Sequence, residues 1–329
     1  MILGSTIILI LLGSILASQT ILNKFQDWKT QFNKNYQSKY EEIYRFQVYN
    51  ENFEIIQKHN LNNEYSYTLG ENQFMDLTNE EFLEIYASKN YMEEISDSKI
   101  NSDIILTNYT GKKVNLYDWS DYCMWPKDQG NCGAGWAFAT AEIMECYLII
   151  QSGSAYYRKL SQQQFIDCVD RNYGCETRSM DDIVNAFEYA NEVHISELDY
   201  YPQTGKQDIC KGTRGLQTFT ITQFETIQND KFTLVESLIY GPIVAGFDIS
   251  GWQFYKDGTY DCFLDKKPNH HAIIVKALAF HDKEDKDYIE IQNSWGSNWG
   301  RSGSIKYSLK YNCNVYDRPI YRSFKVQVH

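Results

Sequence analysis

The chain has 329 residues, of which 43% are hydrophobic and 15% aromatic, so it can build one or two packed cores and intrinsic disorder is excluded. Its formal net charge of −12 argues against nucleic acid or an anionic membrane surface as a partner. Its eight cysteines are typical of a protein that folds in an oxidising compartment.

The N-terminus predicts an export signal. Residues 2–16 form an apolar run that is followed by small residues and then by polar sequence from Gln19. The run is too short for a comfortable bilayer span, so we interpret residues 1–18 as a signal peptide that is removed. The alternative is an N-terminal membrane anchor. A signal peptide predicts a secreted or lysosomal/vacuolar protein that has no membrane association after processing.

A helix with one apolar face is predicted next, because apolar residues recur every three or four positions. Residues 87–113 then lose this periodicity and become polar, which is typical of an exposed connector that is open to proteolysis. The apolar positions of the predicted helix are Ile43, Phe46, Tyr49, Phe53 and Ile56.

The pattern after residue 114 predicts a buried helix followed by short strands. Residues 136–150 are apolar on nearly every face, as expected of a helix that runs through the middle of a domain. Residues 243–245, 272–278 and 288–291 are short apolar runs bounded by turn residues, which predicts strands. A helical part that precedes a strand-rich part indicates an α+β fold.

Three short segments carry a recognisable pattern. Residues 132–136 read Cys-Gly-Ala-Gly-Trp, residues 269–272 read Asn-His-His-Ala, and residues 293–296 read Asn-Ser-Trp-Gly. They resemble the catalytic segments of papain-family, cathepsin L-like cysteine proteases, whose nucleophile lies in Cys-Gly-(Ser/Ala)-Cys-(Trp/Tyr) with His and Asn on the order of 130–150 residues downstream. In this chain, Gly135 stands where the family has its nucleophilic cysteine.

The resemblance implies a role for each matching position. Gln129 would be the oxyanion donor, His271 the base, and Asn293 the residue that orients the imidazole. Glycine has no side chain that could ionise and attack a carbonyl, so we expect a pseudoprotease with Gly135 at the substituted nucleophile position. One alternative is an active cysteine-type endopeptidase in lysosomal or extracellular proteolysis, and the other is a non-catalytic storage or structural protein.

A second departure from the family pattern lies in the predicted peptide groove. The family has Cys-Asn-Gly-Gly where residues 175–178 read Cys-Glu-Thr-Arg, and a glycine there lets a substrate backbone approach as a strand. We therefore expect Thr177 and Arg178 to obstruct the groove, and we expect Trp295 to line the cleft and shield the contact between His271 and Asn293. The expected ligand or substrate is a polypeptide. No cofactor and no metal is predicted, since adjacent histidines on a strand point to opposite faces.

The N-terminal helix also resembles part of the same family. Its polar and apolar positions follow the propeptide motif Glu-x3-Arg-x3-Phe-x2-Asn-x3-Ile-x3-Asn, with Tyr49 in place of Phe, and residues 70–76 read Gly-x-Asn-x-Phe-x-Asp. This implies a small helical inhibitory pro-domain and connector over residues 19–113, which would be the intramolecular partner that lies across the cleft. Residues 114–329 would form a papain-like domain, with a helical lobe, a β-barrel-like lobe and a cleft between them. We expect a monomer.

The family pattern also implies three disulfides. Cys123 and Cys146 are left over, and they either form a fourth bridge or remain two buried thiols. The implied pairs are Cys132–Cys175, Cys168–Cys210 and Cys262–Cys313.

Overall fold

The fold is that of a computed structural model of the chain. The predicted signal peptide and most of the predicted connector lie outside the described residues. Within the described residues, no helix is both long and apolar enough to cross a membrane. The described residues are 19–87, 118–153, 157–177, 181–227, 234, 237–261, 270–273, 280–281, 288–309 and 320–329.

The N-terminal region consists of three helices and one short strand. Ser38 begins the second helix, because its side chain accepts a hydrogen bond from the backbone N–H of Glu41. Thr78 and Glu81 form a complete capping box at the start of the third helix. The elements are α1 (residues 19–31), α2 (Lys39–Leu61), β1 (Tyr67–Leu69) and α3 (Asn79–Tyr86).

The apolar face predicted for α2 is correct except at its first member. Tyr49 and Ile56 are buried, and Phe46 and Phe53 pack against the same core. Ile43 is 50% exposed, so its inclusion in the buried face was wrong. At 3.6 residues per turn, Ile43 lies roughly 120° around the helix from Tyr49, which turns it away from the core.

Two asparagine side chains of α2, one buried and one exposed, fasten the helix to the segment that follows it. The Nδ2 atom of Asn52 donates to the carbonyl oxygens of Met75 and Leu77, both at 2.9 Å. Asn60 donates to and accepts from the backbone of Leu69, also at 2.9 Å. These bonds satisfy polar backbone groups of the segment that follows α2, and both asparagines belong to the propeptide-like pattern.

A helical lobe surrounds the predicted central helix, which is confirmed and is buried from Gly135 through Ile149. Strand β3 pairs antiparallel with β10 on one side and with β2 on the other, and this sheet packs beside the helices. The elements are α4 (Gly135–Ser152), α5 (Gln162–Cys168), α6 (Asp181–Glu192), β2 (Ile195–Ser196), β3 (Thr218–Ile227) and β10 (Ile320–Val328).

The strand lobe contains a sheet with the strand order β1-β5-β9-β8-β7 and a separate antiparallel pair of β4 with β6. The strand predicted over 288–291 is confirmed, whereas the one predicted over 243–245 begins only at its last residue. Of the strand predicted over 272–278, residues 274–278 lie outside the described part. The elements are β4 (Ala245–Asp248), β5 (Tyr255–Tyr260), β6 (His270–Ile273), β7 (Phe280–His281), β8 (Tyr288–Gln292) and β9 (Ser304–Ser308).

The N-terminal region shares its hydrophobic core with the strand lobe. Phe25, Tyr49 and Phe74 belong to the same buried cluster as Trp252 and Tyr307. A second cluster surrounds α4 in the helical lobe. The α+β architecture is therefore present, and its N-terminal helices share the core of the strand lobe instead of forming a separate globule.

Candidate functional site

Gly135 is the first residue of α4, and the start of this helix is buried. Ala134 is the cap residue and makes no side-chain hydrogen bond, and the first turn contains no acidic side chain. The first N–H groups of a helix lack intrahelical partners and carry the positive end of its dipole, so they stabilise a negative charge placed beside them. A thiolate or an oxyanion would be stabilised here, but Gly135 supplies no side-chain atom.

Gln129 is fully buried and is fixed by the segment that contains Asn293. Its backbone N–H donates to the carbonyl oxygen of Ser294 at 2.9 Å, and the hydroxyl of Ser294 donates to its Oε1 atom. Its Nε2 atom donates to the carbonyl oxygen of Cys132 at 2.8 Å. Because Nε2 carries two hydrogens, this bond leaves one N–H for another acceptor.

Asn293 follows the end of β8 and is also fully buried. Its backbone N–H donates to the carbonyl oxygen of Gly303 at 2.8 Å, and its Oδ1 atom accepts from the N–H of Ser294 at 2.7 Å. Its Nδ2 atom has no partner among the residues that the structure describes. For His271 the structure describes the backbone, which lies in β6 opposite Phe247 of β4.

Two interactions hold the segment before Gln129 against α4. Cys123 and Cys146 form a disulfide, which decides between the two alternatives for this pair. Lys127 makes an ion pair with Glu145, whose carboxylate is fully buried and also accepts from the N–H of Leu160 at 2.6 Å. A buried carboxylate is costly unless it is paired and hydrogen-bonded, so Lys127 is held in place and Gln129 is positioned relative to the start of α4.

Two of the implied disulfides, Cys132–Cys175 and Cys168–Cys210, are present in the structure. Cys132 is therefore oxidised, and it cannot serve as a displaced nucleophile while the bridge is intact. The third implied pair, Cys262–Cys313, lies outside the described residues.

Thr177 packs against the loop that precedes α4. Its side chain is buried, and its hydroxyl donates to the carbonyl oxygen of Gly133 at 2.6 Å. A Cβ atom built at Gly133 would lie 2.3 Å from the carbonyl oxygen of Ile85 and 2.7 Å from that of Cys175, so this close approach requires glycine. Thr177 thus takes part in the internal packing of this loop. Arg178 lies outside the described residues.

The N-terminal region covers this part of the molecule. The rings of Phe74, Phe82 and Tyr86 lie 5.5, 5.2 and 5.3 Å from the ring of Trp295, which is 1% exposed. The hydroxyl of Tyr86 donates to the carbonyl oxygen of Gly130 at 2.8 Å. Burial raises the pKa of Tyr86, so its hydroxyl stays protonated and remains a donor.

Backbone pairing also joins the N-terminal region to the strand lobe. Strand β1 pairs antiparallel with β5, and Thr68 lies opposite Asp257. The Nδ2 atom of Asn72 donates to the carbonyl oxygen of Gln253 at 2.7 Å, and Nε2 of Gln253 donates to the carbonyl oxygen of Leu77 at 2.9 Å. The N-terminal region is therefore an intramolecular partner of the rest of the chain.

Sequence reasoning did not identify Ile85, Tyr86 or Ser294 as parts of this site. The pattern Thr78-x-x-Glu81 before an apolar run is a helix-start signal that could have located α3 and its buried residues. The role of Ser294 has no local signal, because it depends on contact with Gln129, 165 residues away in sequence. In the described part of the chain, no cluster of three or more His, Cys, Asp or Glu residues could hold a metal ion.

Known proteins resemble both parts of the chain. The family description "Papain family cysteine protease" matches residues 114–323, and "Cathepsin propeptide inhibitor domain (I29)" matches residues 25–82. Putative cathepsin L 3 of Paramecium tetraurelia is 32% identical over 300 residues, which cover 90% of each chain. Chymopapain of Carica papaya is 31% identical over 323 residues, which cover 92% of this chain and 87% of the relative. The structure of digestive procathepsin L 3 from the larval midgut of Tenebrio molitor gives a TM-score of 0.77 at 28% identity, covering 92% of this chain and 99% of that one.

Proposed function

The chain belongs to the papain family of cysteine peptidases and has the papain-like fold with an N-terminal I29 propeptide; from this premise we propose that it is a pseudoprotease that has lost covalent catalysis and retains a polypeptide-binding cleft. The observation that carries the proposal is Gly135 at the first position of α4. This is the position at which the family signature has its reactive cysteine.

The chemistry of the family defines what the substitution removes. A cysteine thiolate, stabilised by the helix start and a neighbouring imidazole, attacks the peptide carbonyl, and N–H donors stabilise the resulting oxyanion. We propose that Gln129, His271 and Asn293 occupy the donor, base and orienting positions. Without a nucleophilic atom at Gly135, no acyl-enzyme bond forms. Hydrogen-bond donors and substrate binding alone accelerate the reaction by about 10³–10⁴-fold over the uncatalysed rate, which is far below the acceleration of about 10⁶-fold or more that is typical of enzymes.

The burial of polar residues supports a retained binding role over a passive scaffold. Gln129 and Asn293 are both fully buried. Apolar side chains of similar size would pack at such positions without the cost of removing amides from water. Gln129 keeps one side-chain N–H beyond its bond to Cys132, which lies three residues before α4 begins, and this donor favours a site that still receives a carbonyl group of a polypeptide.

Access to the cleft depends on the N-terminal region, because α3 covers Trp295 and contacts Gly133. We propose that residues 1–18 are a removed signal peptide, that residues 19–113 are the pro-domain and connector, and that the protein acts as a monomer in a secreted or lysosomal/vacuolar compartment. Since Gly135 cannot cut the connector, a second protease would have to do so before a polypeptide could enter the cleft.

The test compares wild-type protein with Gly135→Cys and with Gly135→Ser, which adds a side chain of similar size but no thiol. Each protein is cut in the connector, incubated with an epoxide probe for active-site cysteines, and assayed with a fluorogenic peptide panel. We expect only Gly135→Cys to be labelled at mildly acidic pH. Turnover by the wild-type protein that the epoxide abolishes would refute the proposal and favour an active endopeptidase.

The groove substitutions are tested in the Gly135→Cys background. Adding Arg178→Gly should raise peptide turnover, because removing a long charged side chain gives the substrate backbone access to the groove. Thr177→Ser is the matched control, since it keeps the hydroxyl that bonds to Gly133. Equal turnover of Gly135→Cys with and without Arg178→Gly would show that the groove is unobstructed. Failure of the cut wild-type protein to bind any peptide of the panel would favour a storage or structural protein.

A further inference from the structure

A second concave surface lies away from the helix start, beside the segment that leads to Gln129. This surface, which we call the rear groove, has a volume of about 430 Å³. Its walls come from the Cys123–Pro126 segment, from β8 and from the turn before β9. The residues used below are Asp121, Trp125, Tyr157, Glu290, Arg301 and Ser302.

One wall of the rear groove is aromatic. Trp125 is 77% exposed and is the most exposed of the seven tryptophans, and Tyr157 is 49% exposed. An exposed indole does not gain the large favourable free energy that its burial would give, and exposed Trp and Tyr rings beside a groove are typical of contact sites. The face of an indole also attracts cations, and guanidinium groups most often.

The lining of the rear groove also carries charge, with the carboxylates of Asp121 and Glu290 and the guanidinium of Arg301. Glu290 is partly buried, and burial raises its pKa although the neighbouring cations Arg301 and Lys306 act to lower it. Arg301 is shared, because its Nε atom lies 3.0 Å from Asp257 and its Nη1 atom 3.7 Å from Glu290. The ionised form of Glu290 is therefore incompletely compensated, and a further cation in the groove would stabilise it.

Two residues that line the rear groove have small side chains, and the backbone turns sharply at one of them. Ser302 has φ 53°, a left-handed conformation that is uncommon for residues other than glycine. Ser302 and Ser304 both line the groove, where larger side chains would fill it. Non-glycine residues in this conformation persist only where the surrounding structure imposes them, and they cluster at binding sites.

We propose that the rear groove binds an arginine side chain of an extended polypeptide. The guanidinium stacks on Trp125, and the carboxylates of Glu290 and Asp121 accept its hydrogen bonds. Arginine fits better than lysine, because its planar group both stacks on a ring and pairs with a carboxylate through two N–H donors. This site is separate from the cleft and does not depend on the proposed loss of catalysis.

A polypeptide is favoured over a free cation because the surface continues past Tyr157. Tyr157 also lines a neighbouring groove of about 650 Å³. The wall of that groove includes Leu216, which is 89% exposed, and Tyr200, which is 43% exposed. Residues that flank the bound arginine would cover these apolar side chains, and this burial would add to the affinity.

The experiment uses the full chain and three fluorescein-labelled probes. They are the peptide acetyl-Ala-Arg-Leu-Tyr-Ala, the same peptide with the neutral isostere citrulline in place of arginine, and arginine amide. Binding is measured by fluorescence anisotropy and by quenching of tryptophan emission. We expect the arginine peptide to bind about tenfold more tightly than the citrulline peptide, as loss of the charge would predict, and more tightly than arginine amide.

Single substitutions test which residues form the binding site. Trp125→Ala and Glu290→Gln should each weaken binding of the arginine peptide by about tenfold, whereas Tyr40→Ala, which removes a remote ring that is 87% exposed, should leave it within about twofold. Trp125 is so exposed that its replacement leaves the fold intact, which keeps the test decisive if Glu290→Gln unfolds. Equal binding of the arginine and citrulline peptides, no binding at all, or an unchanged affinity of Trp125→Ala would overturn the proposal. Binding of arginine amide as tight as that of the peptide would overturn its polypeptide part.

Discussion

Gly133→Ala should loosen α3 from the loop that precedes α4. The new Cβ would lie 2.3 Å from the carbonyl oxygen of Ile85 and 2.7 Å from that of Cys175. Both neighbours are backbone atoms, so the clash is relieved only if α3 or the loop moves. Overpacking of this kind costs about 1–3 kcal/mol. If α3 moves, the Tyr86 hydrogen bond to Gly130 is also lost, which adds about 0.5–1.5 kcal/mol.

The assay combines thermal unfolding with hydrogen exchange of the amides in α3. Gly133→Ala should lower Tm by roughly 2–6 °C, since an unfolding entropy of about 2.1 cal/mol/K per residue makes each kcal/mol worth about 1.5 °C in a chain of this length. It should also speed exchange in α3. Gly205→Ala is the matched control, because Gly205 has open space around it but φ +73°, so alanine there costs about 1–2 kcal/mol through the backbone alone. If Gly133→Ala speeds exchange in α3 no more than Gly205→Ala does, the contact with Ile85 does not hold α3 in place.

Two further predictions concern stability. Replacing Cys123 and Cys146 by serine should lower the free energy of unfolding by about 3 kcal/mol, as the loop entropy of a 23-residue separation predicts. Denaturant titration measures this loss. A loss below about 1 kcal/mol would mean that other contacts already hold the segment. Burial alone would raise the pKa of Glu81, but the hydrogen bond and charge of Arg45 lower it below its ordinary value of 4.5. The pair therefore stabilises the fold above pH 4.5, and this stabilisation is lost as the pH falls through the lowered pKa. The stability advantage of wild type over Glu81→Gln in urea should therefore be present at pH 6 and shrink towards pH 3, and an advantage independent of pH would contradict this.

Periodicity predicted the elements that are apolar on every side and was less accurate at the edges of packing surfaces. The all-apolar stretch of residues 136–150 predicted a helix and the short apolar run over 288–291 predicted a strand, and both elements are present. Ile43 satisfied the same spacing rule but faces solvent. Spacing predicts which residues share a helix face, but it does not predict how far the surface that packs against this face extends. Ile243 is apolar and buried but precedes the paired residues, since burial alone does not require sheet pairing, and Val244 makes a single β-bridge before β4.

The candidate site was predictable where a position matches a motif of the family that the chain resembles. The resemblance indicated Gln129 and Asn293, and the structure describes both as buried and linked through Ser294. The direction of Thr177 could not be read from sequence, because it follows from the path of a loop closed by a disulfide and from the close approach at Gly133. Partners that meet only through tertiary folding carry no local pattern.

The pairing of β1 with β5 makes the N-terminal region part of the strand lobe's sheet, so its loss would expose the edge of that sheet. Strand β1 lies before the connector but occupies the edge of the strand lobe's sheet, where Tyr67 faces Gly258 and Leu69 faces Tyr255. Loss of the N-terminal region would uncover a row of unpaired N–H and C=O groups along β5, together with the aromatic surface around Trp295. An open edge beside an apolar patch is a template for strand addition by another chain, and hence for aggregation. The intact proprotein would thus be the form that survives long storage at high concentration, and its cleavage would limit its lifetime in solution.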